Sequence, residues 1–258
     1  MLENMLASLP ETEKNVAIAL SGGLDSTTLV HLLVLKYGKE RVKTLSFDYG
    51  QRHKIELEMS QKTAEKLGVY HQVIELPHLR DIAKGVSALI EGSELTPKTA
   101  EENAGNPQVN TYIPARNFQF ASIQAAFAEA NNCEFIFQGL NATDQYGYYD
   151  TTLEFVSRIN AILELNRMNP IQFVAPFVEL YKSDELILAK EMFPTFGNFL
   201  IDTWSCYNGD VGAGKECGKC NTCQEKLIGY IKAGFDNQTI CDKFSVTEDE
   251  IEDIRKEI

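Results

Sequence analysis

Ser21-Gly22-Gly23-Leu24-Asp25-Ser26 is the stretch around which the rest of the chain is organised. It follows an apolar run at 16–20 and precedes an apolar segment at 27–37 that Gly38 ends, so the pattern predicts a strand, a tight turn and the start of a helix. Adjacent glycines let the backbone turn and approach a ligand closely, and the free N–H groups of a first helical turn attract anions. We therefore expect residues 21–26 to form an anion-binding loop, here named the phosphate loop, between a buried strand and a buried helix.

This loop is not a Walker A sequence, because it lacks the Lys-Ser/Thr pair that grips phosphates and carries Asp25 instead. An ordinary turn is the alternative, since glycine and serine are common in turns. The six residues in this order resemble the SGGxDS pyrophosphatase loop of enzymes that split ATP between its α and β phosphates. The resemblance implies transfer of AMP to a substrate oxygen while the loop holds pyrophosphate. It implies nucleotide binding by these residues: Leu20, Ser21, Gly22, Gly23, Leu24, Asp25, Ser26 and Thr27.

Apolar strands alternate with helical segments along most of the chain. Further strands are predicted at 42–47, 70–76, 134–140 and 171–177, and helices at 53–67, 118–130 and 153–166. This alternation is typical of a parallel sheet with right-handed crossovers. We therefore predict an α/β fold, a Rossmann-like parallel sheet flanked by helices, which the resemblance of the loop narrows to the adenine-nucleotide α-hydrolase-like kind.

Polar residues follow the second predicted strand, at Asp48-Tyr49-Gly50-Gln51-Arg52-His53. Parallel sheets bind ligands beyond the carboxyl ends of their strands, so this hexapeptide should lie beside the phosphate loop. Arg52 and His53 are natural partners for phosphate, and Asp48 and Gln51 are grouped with them as nucleotide-binding candidates. A solvated loop with a surface arginine is the alternative.

Cationic and flat polar residues recur near other strand and helix ends. Arg116 stands at a predicted helix entrance and Lys182 at the start of the next helical segment, where each could reach a phosphate or simply face water. Residues 141–150, after the fourth strand, combine amides, carboxylates and tyrosines, a mixture that suits a flat heteroaromatic ligand. An Asx-rich turn with packed tyrosines is the alternative reading of this segment.

Residues 77–108 interrupt the alternation of strands and helices. The polar part at 93–106 has no sustained period, and a loop this long in a compact domain is more often functional than not. We expect a long excursion over the top of the sheet that acts as a lid on the ligand.

Four of the six cysteines, Cys206, Cys217, Cys220 and Cys223, lie close together near the carboxyl end. A Cys-x-x-Cys-x-x-Cys knuckle with one upstream thiol supplies four soft ligands, which suits tetrahedral Zn²⁺ better than an iron–sulfur cluster or free thiols. Four thiolates leave no open coordination position, so the metal should be structural. Cys133 and Cys241 stand apart and are expected to be small buried residues.

The composition excludes several classes of protein. The formal net charge of −13 over 258 residues disfavours nucleic acid as the principal partner. The first residues lack the basic and apolar stretches of a secretory signal, and no apolar run approaches the ~20 residues that span a bilayer, so we expect a cytoplasmic protein without a membrane partner. We expect an ATP-binding α/β domain at 1–200 and a zinc-binding, helical region at 201–258. The acidity of the helical tail favours packing or self-association over DNA binding, and we expect a homodimer.

Taken in order, SGGLDST, FDYGQRH, TYIPARN, GLNATDQYGYYD, Lys182 and TWSCY with CGKCNTC resemble the 7-cyano-7-deazaguanine synthases (QueC), over roughly residues 14–235. That resemblance implies an enzyme that adenylates the carboxylate of 7-carboxy-7-deazaguanine with ATP and Mg²⁺ and converts it with ammonia, through the amide, to the nitrile. It implies catalytic roles for Asp25, Arg52, Arg116 and Lys182. The substrate-binding residues it implies are Tyr112, Asn141, Asp144, Tyr148 and Asp150.

One segment departs from the family pattern. The family commonly reads Ser-Gly-Tyr-Pro-Asp-Cys-Arg where this chain has Tyr146 to Thr152, so the proline, cysteine and arginine are absent. Loss of a cation near a substrate carboxylate would change which nucleophile fits, so the alternative is a defence-associated relative that joins the deazaguanine carboxylate to a protein amine. A tRNA-thiolating enzyme and a non-catalytic nucleotide-binding module are further alternatives. The acidic balance counts against the former, and ATP binding without release of pyrophosphate would identify the latter.

Overall fold

The computed structural model describes residues 1–98, 102, 108–209 and 214–258. Its centre is a sheet of five parallel strands in the order β3-β2-β1-β4-β5. The strands are β1 (Asn15–Ala19), β2 (Val42–Asp48), β3 (Tyr70–Glu75), β4 (Cys133–Phe137) and β5 (Gln172–Val174). The predicted α/β fold with a parallel sheet is therefore confirmed.

Helices cover both faces of this sheet. In chain order they are α1 (Leu2–Ser8), α2 (Leu24–Tyr37), α3 (Ile55–Leu67), α4 (Pro77–Ala83), α5 (Arg116–Ala130), α6 (Leu153–Leu163), α7 (Lys182–Phe196), α8 (Asn221–Lys232), α9 (Asn237–Lys243) and α10 (Glu248–Glu257). Short 3₁₀ turns lie at Thr143–Tyr146, Tyr149–Thr151 and Phe199–Asp202. Thr247 and Glu250 form a capping box at the start of α10.

Alternate residues of the strands divide the core into two layers. Val16 and Ile18 of β1 face a cluster that includes α2 and α7, whereas Ala17 faces a cluster that includes α5 and α6. The first cluster also contains Tyr230 of α8 and four of the buried cysteines, Cys206, Cys217, Cys220 and Cys223. Residues on both sides of position 200 thus share one hydrophobic core.

The strand order places the phosphate loop at a switch point of the sheet. From β1 the chain moves to β2 on one side, and β4 later pairs with β1 on the other side. The loop between β1 and α2 therefore lies above the gap where ligands bind in doubly wound sheets.

Some elements differ from those predicted. Helix α4, with Pro77 in its first turn, opens the segment predicted as an irregular excursion. Strand β5 has only 3 residues, fewer than the apolar run around it. Gln51 forms an antiparallel bridge with Ile90, so the first part of the excursion lies across the end of β2. Part of the proposed lid, at 99–101 and 103–107, lies outside the described residues.

None of the helices formed by the described residues is both long and apolar enough to cross a membrane.

Candidate active site

The phosphate loop has a shape that only glycine permits at Gly22. Its φ is +82°, and a Cβ there would lie 2.3 Å from the main-chain oxygen of Glu56. The Gly22 carbonyl accepts a 2.8 Å hydrogen bond from the Trp204 N–H. Within the loop, the Ser21 N–H donates to Ser26 Oγ at 3.1 Å. The loop is therefore held between α3 and the segment before the cysteines, with the N-terminus of α2 open above it.

Asp25 and Lys182 form an ion pair at the centre of the site. The Lys182 ammonium lies 2.6 Å and 2.7 Å from the two oxygens of Asp25. The Lys182 side chain is 9% exposed and the Asp25 side chain is 22% exposed. Burial would lower the pKa of Lys182, but the carboxylates of Asp25, Asp144 and Glu185 outweigh that effect and raise it above its usual value. Lys182 therefore stays charged.

Arg116 is placed by a strained turn. Ala115 has a left-handed φ of 52° and α5 begins at the next residue, so the guanidinium is held 5.9 Å from the ring centres of Tyr49 and Phe120. Burial would lower the pKa of Arg116, but nearby groups, chiefly Tyr49, raise it. Burial raises the pKa of Glu56, which lies near Arg116, to about 7.

A cavity of about 230 Å³ joins these elements. It brings together many of the residues that the sequence singled out: Leu20, Ser21, Gly23, Asp25, Ser26, Gln51, Arg52, His53, Arg116, Asp144, Tyr148 and Lys182. Other predicted residues lie outside its lining: Gly22, Leu24, Thr27, Asp48, Tyr112, Asn141 and Asp150. Leu24 and Thr27 are buried on the inner side of α2.

The hexapeptide after β2 is divided between structural and cavity-facing residues. Asp48 accepts from the Gly50 N–H at 3.1 Å and pairs with Lys54, so it shapes the turn. Gln51 spans the same turn, donating to the Phe47 carbonyl. Arg52 lines the cavity while its guanidinium donates to carbonyls of the excursion at 93 and 95.

The residues expected to bind the deazaguanine lie in two layers. Asp144 and Tyr148 line the cavity, and the Tyr148 hydroxyl lies 2.6 Å from Thr111 Oγ1. Behind them, Asn141 accepts the N–H groups of Thr143 and Asp144.

Asp150 and Tyr112 support the cavity wall from further away. Asp150 Oδ2 accepts from the Asn117 N–H at 3.2 Å, near the start of α5. The Tyr112 hydroxyl accepts from the Ala115 N–H at 3.0 Å. Both residues thereby brace the turn that presents Arg116.

The four predicted cysteine ligands converge. One ligand atom from each of Cys206, Cys217, Cys220 and Cys223 lies within 4.8 Å of the others, and all four residues are buried. Cys217 Sγ accepts N–H groups from Lys219 and Cys220 at 3.4 Å and 3.3 Å, contacts that favour a thiolate. A buried set of four thiols with this spacing fits a tetrahedral zinc ion.

The cysteine region forms part of the cavity wall. Cys206 and Tyr207 line the cavity together with Trp204. A fully buried pair between Glu216 and Lys226, 2.9 Å apart, ties this region together, and Glu216 also accepts the Ser205 N–H. The cysteine cluster therefore positions the segment that holds the phosphate loop.

Sequence reasoning missed two acids of this site. Glu185 is 0% exposed on the first turn of α7, and Glu56 lines the cavity from α3. Glu185 lies three positions after Lys182 on α7, and this helical spacing is the signal that could have found it. Glu56 lies in the first turn of α3, just after the predicted His53.

A family model and the similar curated relatives that are described next point to the same family. A family model described as Queuosine biosynthesis protein QueC matches residues 15–234. The chain is 40% identical over 223 residues to a 7-cyano-7-deazaguanine synthase of Picrophilus torridus, covering 84% of this chain and 88% of the relative. It is 36% identical over 234 residues to one of Saccharophagus degradans, covering 88% and 98%. Among solved structures, an NH3-dependent NAD synthetase from Campylobacter jejuni aligns with a TM-score of 0.46 and 16% identity, covering 99% of this chain and 89% of that chain.

Proposed function

Because this chain belongs to the QueC family of queuosine biosynthesis proteins, we propose that it is an ATP-dependent carbon–nitrogen ligase that makes 7-cyano-7-deazaguanine. Its substrates would be 7-carboxy-7-deazaguanine, ammonia and ATP. The observation that carries this proposal is the single cavity in which the phosphate loop, the Asp25–Lys182 pair and Arg116 meet Asp144 and Tyr148. Phosphate-binding and heteroaromatic-binding groups thereby face one space.

Adenylation is the first step of the proposed reaction. A carboxylate oxygen of the substrate attacks the α-phosphorus of ATP, and the bond to the leaving pyrophosphate breaks. The main-chain N–H groups of the loop and the hydroxyls of Ser21 and Ser26 hold the pyrophosphate. Arg52, Arg116 and Lys182 offset the negative charge that develops during the transfer.

Amide and nitrile formation follow. Ammonia attacks the acyl carbon and AMP leaves, which gives the amide. A second ATP activates the amide oxygen, and loss of AMP with the amide protons gives the nitrile. Glu56, whose pKa burial raises to about 7, lines the same cavity, and we propose that it accepts the proton that ammonium must lose before the nitrogen can attack.

Metal ions complete the proposal. Asp25 and Asp144 present carboxylate oxygens, the ligands that Mg²⁺ prefers, and would hold the ion that accompanies ATP and offsets its charge. Cys206, Cys217, Cys220 and Cys223 would hold a structural zinc ion. Thiolate ligands suit a reducing compartment, which supports the proposal of a cytoplasmic location. We also propose that the protein is a homodimer.

A second function shares the adenylation step. Where the family pattern has an arginine this chain has Thr152, whose hydroxyl accepts the Phe155 N–H and caps α6. Nearby, Phe118 and Tyr149 are 42% and 57% exposed. These three residues line a second pocket and are not among the residues that line the cavity. Loss of the arginine removes a cation, which would change which nucleophile fits, so the alternative is transfer of the adenylated acid to a protein amine.

Mass spectrometry after incubation with ATP, Mg²⁺ and 7-carboxy-7-deazaguanine, with and without ammonium, tests both functions. The nitrile supports the synthase. The amide alone, or an adenylate that persists until a protein amine is added, supports the conjugating enzyme. ATP binding without release of pyrophosphate contradicts both.

A further inference from the structure

Two buried glutamine side chains form a chain of hydrogen bonds at the end of β4. Gln124 of α5 is 0% exposed, and its side-chain NH2 group donates a 3.1 Å hydrogen bond to the main-chain carbonyl of Phe137. Gln138, the residue after β4, is 4% exposed and donates from its own NH2 group to Gln124 Oε1 at 2.7 Å. The function proposed above uses neither side chain.

The main chain fixes which way both amides point. A carbonyl oxygen only accepts, so the end of the Gln124 amide that contacts Phe137 must be its NH2 group. The other end of that amide is then an acceptor, and the end of the Gln138 amide that contacts it must again be NH2. Rotation of either amide by half a turn would set like groups against each other. The remaining polar end of the Gln138 amide is therefore its oxygen, Oε1.

Gln138 Oε1 opens towards the cavity that holds the phosphate loop. Gln138 lines this cavity. Among the described residues, none donates to Gln138 Oε1, and this oxygen is not one of the fully buried polar atoms that lack a partner. The next residue, Gly139, packs against the start of α2, since a Cβ there would lie 3.0 Å from the main-chain carbon of Asp25. A neutral acceptor thus stands close to the phosphate loop.

Aromatic rings form the cavity wall on the face of the sheet that α5 covers. Phe47 and Phe120 both line the cavity, and their rings stack at 4.1 Å with an angle of 16° between their planes. An apolar wall with one fixed polar group suits a flat heterocycle. A phosphate or carboxylate group would bring only acceptors towards Gln138 Oε1 and would be repelled. The ligand atom that faces Gln138 must therefore carry a hydrogen.

We propose that Gln138 is a specificity-determining residue whose Oε1 accepts a hydrogen bond from an exocyclic amino group of a bound heterocycle, and that Gln124 is the positioning residue that holds it so. This inference rests on the proposed function, in which two flat heterocycles enter the cavity. The 6-amino group of ATP and the 2-amino group of the deazaguanine offer the same donor chemistry. An analogue with a keto oxygen in place of that amino group sets two acceptors against each other and is disfavoured.

Gln138→Met tests the proposal, because it keeps the length of the side chain and removes the oxygen. Calorimetry compares two ligand pairs: ATP with inosine triphosphate, which has a keto oxygen at position 6, and 7-carboxy-7-deazaguanine with the analogue that has a keto oxygen in place of its 2-amino group. In one pair the parent should prefer the amino ligand by about tenfold or more, and the variant should bind both members alike. The pair that responds identifies which heterocycle Gln138 contacts.

Gln61→Met is the matched control, since Gln61 is exposed on α3, and it should leave both preferences unchanged. A parent without a preference in either pair, or a preference that survives in Gln138→Met, would overturn the proposal.

Gln124→Met gives a readout that a merely structural role would not move. This change frees the Gln138 amide from the Phe137 carbonyl, so the amide can rotate and donate to a keto oxygen. The keto ligand of the responding pair should therefore gain affinity relative to the amino ligand. Thermal unfolding without ligand measures the stability that each substitution removes. An equal loss of affinity for both members of the pair would show that the two glutamines only support the fold, and would contradict the role.

NMR of the ligand-free parent tests the amide orientation without any variant. The side-chain NH2 groups of Gln124 and Gln138 should exchange their hydrogens slowly with solvent, because both donate inside the protein. Fast exchange at either group would overturn the inference even if the protein bound every ligand. Slow exchange in a parent that binds neither ATP nor the deazaguanine would contradict the proposed function, and with it the specificity role, while the orientation of the amides would stand.

Discussion

The Lys182 ammonium contacts both carboxylate oxygens of Asp25, at 2.6 Å and 2.7 Å, across a sequence separation of 157 residues. This contact joins the first turn of α7 to the first turn of α2. A cation is thereby held over the phosphate loop before any anion binds.

Asp25→Asn should lower release of pyrophosphate by about 100-fold or more, the order of magnitude seen when a preorganised electrostatic contact is lost. The fold should persist, because Asp144 remains near Lys182. Measurement of pyrophosphate together with circular dichroism checks both expectations. Asp81→Asn, at a side chain that is 70% exposed, is the control and should be fully active.

Gly22→Ala should weaken nucleotide binding and lower the free energy of unfolding. A positive φ alone costs of order 1–3 kcal/mol for a residue with a Cβ, and here that Cβ would also lie 2.3 Å from a main-chain oxygen. Gly38→Ala is the matched control, since Gly38 has a similar φ of +81° with nothing within 4 Å of the added carbon. Chemical denaturation and ATP protection against heat compare the two. An equal effect of both substitutions would show that the close approach at Gly22 does not matter.

Cys220→Ser should remove zinc, lower the melting temperature and reduce activity together. A metal ion held by this cluster would contribute to folding, and Cys206 of the cluster lines the cavity together with Trp204. Elemental analysis, thermal unfolding and pyrophosphate release measure the three effects. Cys241→Ser lies outside the cluster and should retain its zinc.

Glu56→Gln should stabilise the protein only above mildly acidic pH. The pKa of Glu56 is raised from 4.5 to about 7 by burial, so the folded state holds its proton more tightly than the unfolded state. The destabilising effect of the carboxylate is absent below pH 4.5, the pKa of Glu56 in the unfolded state. It grows as the pH rises from 4.5 to about 7 and is complete above about pH 7. Denaturation at pH 5 and pH 8 should therefore show a larger gain for the variant at pH 8. Glu58→Gln, on the exposed side of the same helix, should show no such pH dependence.

Glu56→Gln should also separate the two chemical steps. Release of pyrophosphate should be retained, whereas amide formation from ammonium should fall, since the proposed proton acceptor is lost. Hydroxylamine is unprotonated at neutral pH and should restore turnover of the adenylate in the variant. Product analysis with each nucleophile measures this, and equal losses with both would contradict the proposed role.

Much of the fold followed from local pattern. The strands and helices around the phosphate loop, and the family itself, were predicted from consecutive residues and are confirmed. Helix α1 was missed because it is short and none of its residues is buried; the Leu2 N–H is bonded instead to the distant Glu191. Helix α4 was missed because its 7 residues are too few for a period to register against the irregular segment that follows.

The sequence by itself determined the phosphate loop and the cysteine knuckle, because each depends on residue types a few positions apart whose backbone geometry is local. Only the tertiary structure decided that Lys182 pairs with Asp25, that Glu185 is buried without a donor, and that the cysteine region forms a wall of the cavity. Those relationships arise from packing between distant elements, and burial then sets the charge of each group.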